Sequence, residues 1–139
     1  MDLDFICLKP LVTLLHGHSM LIGSQLPGDW QLGHEHLCNA FIASMPGHPF
    51  WDGITVDLAR HASNFVQDAT GPNFLTSRMK RALSFLDETS LPTVVEKPLL
   101  YPFIWDDDFM PTAPEWSRAQ LALKYPEAFG ATFWTASWK

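Results

Sequence analysis

Asp2-Leu3-Asp4 places two carboxylates two residues apart, at the head of the apolar run Leu3-Asp4-Phe5-Ile6-Cys7-Leu8. In a strand, residues i and i+2 project to one side, so both acids can reach one ion or its water shell. Oxygen donors of this kind suit Mg²⁺ or Mn²⁺, which keep positions open for a substrate's phosphates. A carboxylate at the edge of a buried strand is costly unless something compensates it, and a cation is one such partner. Asp106-Asp107-Asp108 repeats the spacing between Trp105 and Phe109, where a solvated loop explains it most simply. His16-x-His18 and His34-x-His36 would each put two imidazoles on one face of a strand, a layout that zinc hydrolases use. Both pairs adjoin glycine in loop-like stretches, and the spacing of His34-Glu35-His36 is too short for the zincin helix.

The elements that must position these groups follow from period and punctuation. Residues 2–8 read as a buried strand stopped by Lys9-Pro10. Val12 to Leu15 read as a turn or short helix, Met20 to Gly23 as a strand, 24–34 as a loop, and Leu37 to Ser44 as a second apolar strand. Asn39 lies inside that strand, where its amide must bond either backbone or a ligand. Pro46-Gly47-His48-Pro49 forms a turn. Trp51, Ile54, Leu58, Ala62 and Phe65 then recur at helical spacing, with Pro49 suited to the first turn. Thr70-Gly71-Pro72 opens a second helix and can also turn backbone N–H groups toward an anion. Its apolar stripe is Leu75, Met79, Ala82, Leu83 and Leu86, with Arg78, Lys80 and Arg81 facing largely elsewhere. Thr93 to Val95 predicts a strand, Leu99 to Trp105 an extended piece, Glu115 to Tyr125 a helix, and 126–139 an aromatic, partly extended tail. The interleaving is that of an α/β domain.

Composition narrows the function. The chain has 139 residues, enough for one domain with a real core; 47% are hydrophobic and 17% charged. A net charge of −6 with no basic stripe argues against nucleic acid as a partner. No apolar stretch approaches the roughly 18 residues that span a bilayer, and the acidic N-terminus is unlike a signal peptide. The expectation is a soluble, cytoplasmic-side chain. Cys7 and Cys38 lack metal-type spacing and read as buried free thiols. Six Trp and ten Phe supply an aromatic core or, alternatively, sugar-stacking platforms.

Taken together and in order, these segments resemble glycosyltransferase family 32, the D-x-D sugar transferases that include initiating α-1,6-mannosyltransferases and bacterial capsular polysaccharide enzymes. Asp2 to Leu11 is similar to the second half of the family's Gly-Gly-x-Tyr-x-Asp-x-Asp stretch running into Lys-Pro-Leu. Asn39 to Trp51, with its Pro46-Gly47-His48-Pro49, Thr70-Gly71-Pro72, and the closing Trp134-Thr135-Ala136-Ser137-Trp138 resemble three further family segments. The resemblance implies a GT-A fold and a retaining hexosyltransferase using Mn²⁺ or Mg²⁺. Its donor would be a nucleotide-diphosphate sugar (GDP-mannose or a UDP-hexose), and its acceptor a glycan or a lipid-linked glycan. It implies that Asp4 binds the metal and that Asp2 shares it or binds the donor's ribose or sugar. Ser137 and Trp138 would close over the diphosphate. Asn39, His48 and Thr70, Gly71 and Pro72 would line the sugar or acceptor side.

The chain departs from the pattern in two places. Thr132 stands where the family carries a His, so the metal site would be weaker or completed by water. The family's segment before the D-x-D, which holds the nucleotide's base and ribose, is missing. The expectation is therefore residues 1–139 as one partial domain, the C-terminal part of the GT-A fold with an incomplete central sheet flanked by helices. Such a piece would be poorly active and prone to pair with its missing half or with itself. The implied location is the cytoplasm, peripheral to the membrane through a lipid-linked acceptor, or the Golgi lumen for a eukaryotic full-length relative. Two other classes compete: a non-catalytic carbohydrate-binding or scaffold module, and a zinc hydrolase built on the H-x-H pairs.

Overall fold

The computed structural model describes residues 4–25, 37–103 and 116–134. Strand β2 (Met20–Ser24) is the centre of a three-stranded sheet. Strand β3 (Leu37–Ser44) runs antiparallel on one side of it and β4 (Thr93–Val95) parallel on the other. Every residue of β2 is buried. Its alternation explains why: Met20 and Ile22 enter one core with Leu37, Phe50, Leu75 and Met79, while Leu21 enters a second with Phe41, Val95, Leu100 and Tyr101. Strands β1 (Phe5–Cys7) and β5 (Gly130–Thr132) form a separate antiparallel ribbon, with Phe5 opposite Thr132. Among the described residues β3 and β4 each pair only with β2, so both are sheet edges.

Helices cover both faces. Helix α4 (Pro72–Ala82) lies over β3 and contributes Leu75, Met79 and Ala82 to the first core. On the other side, α5 (Lys97–Leu100) touches β2 and β5. Leu121 of α6 (Arg118–Lys124) joins Leu8, Phe103, Ala131 and Phe133 in a third core around the ribbon. The start of α6 is set by a capping box, in which Ser117 and Gln120 each accept from the other's backbone N–H. Helix α1 is Val12–Leu15, and two further helices, α2 (Ile54–His61) and α3 (Val66–Ala69), lead into α4. The domain is mixed α/β.

Three expectations change. Residues 97–100, partly expected as extended, form a helical turn. Pro98 sits in its first turn, where no backbone N–H is required. The helix expected from Pro49 is broken in two, a 3₁₀ turn at Pro49–Trp51 and then α2 after Gly53. Trp51 packs against the first core, but the rest of the apolar stripe does not join it: Ile54 and Leu58 are half-buried, Ala62 is exposed, and Phe65 is 70% exposed. The residue that α2 buries is Asp57. Arg78, expected to face away from the core, is buried at 4% exposure because Asp57 and two carbonyls receive it. Cys7 and Cys38 are free thiols on strands as expected, though Cys7 is only half-buried.

The edge of β3 carries an irregularity that bears on Asn39. Ile22 pairs with Ile42, but Gly23 pairs with Cys38, so residues 39–41 loop out of the ladder. The displaced N–H groups are still satisfied. Phe41 donates to the Tyr101 hydroxyl at 3.1 Å and Ala40 to Cys38 Sγ at 3.5 Å. The Tyr101 ring reaches Phe41 by crossing directly over Gly23, where a Cβ would fall 2.5 Å from it. Glycine is required there by that approach.

Candidate functional site

Asp4 immediately precedes β1, and β5 returns beside it. The Thr132 hydroxyl, on a residue 1% exposed, donates to Asp4 Oδ1 at 3.0 Å, while Phe133 N–H approaches the Asp4 carbonyl at 3.4 Å. Two residues 128 apart in sequence thus meet side chain to side chain. A hydroxyl donor of this kind fixes the rotamer of the carboxylate it bonds. Thr132 acts here as an orienter of Asp4. Next along the chain, Trp134 has a left-handed backbone (φ 53°), packs on Tyr101 and donates its indole N–H to the Phe103 carbonyl at 3.0 Å. This half-buried ring is engaged by the core.

The structure does not gather the other expected residues around Asp4 in any one way. Asn39 is exposed on the looped-out stretch of β3. Its strand lies near β1 through the Phe5 and Phe41 rings, 5.5 Å apart. His48 is buried and structural. Its Nδ1 accepts from Phe50 N–H at 3.2 Å, capping the 3₁₀ turn, so in the neutral ring Nε2 carries the proton and faces Ser19 Oγ at 3.3 Å. Thr70, Gly71 and Pro72 form the junction of α3 and α4. A Cβ at Gly71 would lie 2.7 Å from Gln67 Cα, so glycine lets the two helices touch. Asp2, Ser137 and Trp138 lie outside the described residues, as do His34, His36 and the Asp106-Asp107-Asp108 run. Of the other H-x-H pair, His18 Nδ1 is bonded to Thr93 Oγ1 at 3.1 Å.

These groups test the fit of a metal. Among the described residues no three His, Cys, Asp or Glu side chains are placed to hold an ion. Asp4 and Thr132 supply one carboxylate and one hydroxyl, hard donors of the kind that hold Mg²⁺ or Mn²⁺ together with water and substrate phosphates. Asp2, the other half of the D-x-D, is not among the described residues.

A polar constellation absent from the sequence reading lies between α2 and α4. Asp57 Oδ2 accepts from Arg78 Nη1 at 2.8 Å and from Arg81 Nη2, and Arg60 stands 3.8 Å from Oδ1. Arg78 also donates through Nε and Nη2 to the Phe50 carbonyl, at 3.2 and 2.9 Å, and through Nη2 to the Asp52 carbonyl. The Arg81 hydrogen bond holds the Asp57 carboxyl below its ordinary range. Burial pushes the other way, and the charges of Arg81, Arg78 and Arg60 reinforce the lowering. A signal for this cluster was present: Arg78 falls between Phe74, Leu75 and Ala82 at core-facing helical spacing, and a charge on such a stripe needs a buried partner. Beside the cluster opens a cleft of about 370 Å³.

Among the described residues no helix is long and apolar enough to cross a membrane. Compared with protein families, characterised proteins and solved structures, the chain finds no match in any of the three.

Proposed function

We propose that this chain is a metal-dependent retaining hexosyltransferase domain of GT-A type. It moves mannose, glucose or galactose from a nucleotide-diphosphate sugar to a glycan or lipid-linked acceptor. The observation that carries the reading is the meeting of Asp4 with Thr132. It brings Asp4, just before β1, beside β5, after which the closing Trp134–Trp138 segment follows in sequence, two stretches the reading requires to act on one donor. Glycosyl transfer leaves negative charge on the departing diphosphate, and Mn²⁺ or Mg²⁺ supplies the neutralising charge when bound. The role assigned to Asp4 is to present a carboxylate with a fixed rotamer, Thr132 holding it from the core side. Asp2 is assigned the second carboxylate, Ser137 and Trp138 the diphosphate, and Asn39 the sugar side. His48 is withdrawn to a structural role by its two hydrogen bonds. The setting proposed is the cytoplasmic face of a membrane, where a lipid-linked acceptor is presented.

The test is donor binding by the full chain, measured calorimetrically with GDP-mannose and UDP-hexoses in Mn²⁺ and again in chelator. The expected result is saturable binding of one donor that is lost in chelator and falls at least tenfold in Asp4→Ala. Donor affinity unchanged by that substitution, or no donor bound by a folded chain, overturns the reading.

A further inference from the structure

The chain is acidic and has four arginines, yet three of them, Arg60, Arg78 and Arg81, converge on the single carboxylate of Asp57. One carboxylate cannot satisfy three guanidinium groups. Arg78 commits Nε, Nη1 and Nη2 to Asp57 and the carbonyls of Phe50 and Asp52. Arg81 is different. It gives Nη2 to Asp57, remains 52% exposed, and lines the cleft of about 370 Å³ with other N–H groups still to place. The opposite wall offers Asn64, and α4 adds Asn73 and Ser77 at four-residue steps before Arg81, a single polar stripe along one helix face. Asp68 also lines the cleft, and its carboxylate is engaged by Asn73 Nδ2 at 2.9 Å. Among the lining side chains Arg78 and Arg81 balance Asp57 and Asp68, so the cleft is neutral inside a chain of net charge −6.

We propose that this cleft binds a phosphate group, with Arg81 as its principal grip and Asn64 and Ser77 completing the donors. Arginine presents several N–H groups in a rigid fork matched to oxyanions. Donors arriving from separate walls suit a tetrahedral phosphate better than a planar carboxylate, which one guanidinium fork would satisfy. The volume exceeds that of phosphate alone and lies at the lower end of the usual ligand range, about 300–1,000 Å³, leaving room for a small esterified group. The buried Asp57–Arg78 pair serves this arrangement. An ion pair between helices returns little stability compared with an apolar pair of equal volume, but here it aims Arg81 along the cleft. The proposal stands apart from the glycosyltransferase reading, since none of its residues belongs to β1 or β5.

The test is a ¹H–¹⁵N shift titration of the full chain with inorganic phosphate and, separately, with glycerol phosphate, each against chloride at equal ionic strength. The expected result is saturable movement of the Asn64, Asn73 and Arg81 Nε signals, tighter for glycerol phosphate if an ester is the natural occupant. Ser77→Glu, at an exposed position on the cleft wall, is expected to weaken binding at least tenfold while leaving the melting temperature in place. Arg81→Lys is expected to weaken it as well. Equal shifts with chloride, or affinity unchanged in Ser77→Glu, overturns the proposal. So does loss of the response in Asp4→Ala, which would assign the phosphate to the D-x-D end instead.

Discussion

Asp57 and Asp4 show how differently one side-chain type is used by its surroundings. Asp4 takes a neutral hydroxyl from Thr132, whereas Asp57 is 4% exposed and shared among three arginines. Because the Asp57 carboxyl sits below its ordinary range when folded, its ionised form is the one the fold favours. Its contribution is complete above the unfolded pKa of about 4 and is lost as pH falls through the lower, folded value. Wild-type stability, followed as the urea midpoint, is therefore expected to drop as pH is taken below about 4. The Asp57→Asn variant, weaker at neutral pH, is expected to show a shallower acid drop over the same range. Parallel curves for the two proteins would show that Asp57 is not the group responsible. The sequence disclosed Asp4 through its spacing; for Asp57 it held only the indirect sign of Arg78 on a core-facing stripe, because the two arginines bonded to Asp57 lie 21 and 24 residues away.

At the scale of elements, the β2–β3 pair is the informative one. Both strands were legible from apolar runs between breakers, and their hydrogen-bonded registers are regular on one side of Ile22. The three-residue excursion at 39–41 was not legible, because its cause is Tyr101, a residue from the segment after α5. Tyr101 satisfies Phe41 N–H only while Gly23 leaves room for its ring. Gly23→Ala is therefore expected to cost about 1–3 kcal/mol, the usual range for overpacking a filled core, read as a lowered urea midpoint with unchanged slope. It should also increase hydrogen exchange at Phe41, because the hydroxyl that protects that amide is displaced. A fully stable Gly23→Ala protein would show that the ring can shift without loss. Helix α2 gives the same lesson in reverse. Its apolar period was real in the sequence, yet the fold turned Asp57 inward because Arg78 was waiting there.

For the whole molecule, the decisive contact is between the ends. Ribbon β1–β5 joins residues near opposite ends of the chain and is locked by Leu8, Phe103, Leu121, Ala131 and Phe133. Leu8→Ala is expected to cost about 2–5 kcal/mol, the range for a large-to-small change in a packed core. Because the contact spans nearly the whole sequence, its loop-closure entropy is high and it should form late in folding. Most of the loss should then appear as faster unfolding, with the refolding rate little changed. A refolding rate that falls in proportion to the lost stability would instead place the ribbon in the folding nucleus.

The sequence by itself determined the class of the domain, the positions of most strands and helices, and the candidate acid pair. Each of these rests on local information: the period of apolar residues, the placement of Pro and Gly, and the spacing of carboxylates. Only the tertiary structure decided that Thr132 orients Asp4, that His48 is a capping residue, and that Arg78 is a buried charge paired with Asp57. Those outcomes depend on which distant groups share a desolvated space. A buried charge or hydroxyl takes its role from the partner that satisfies it, and that partner is brought by the fold from far along the chain.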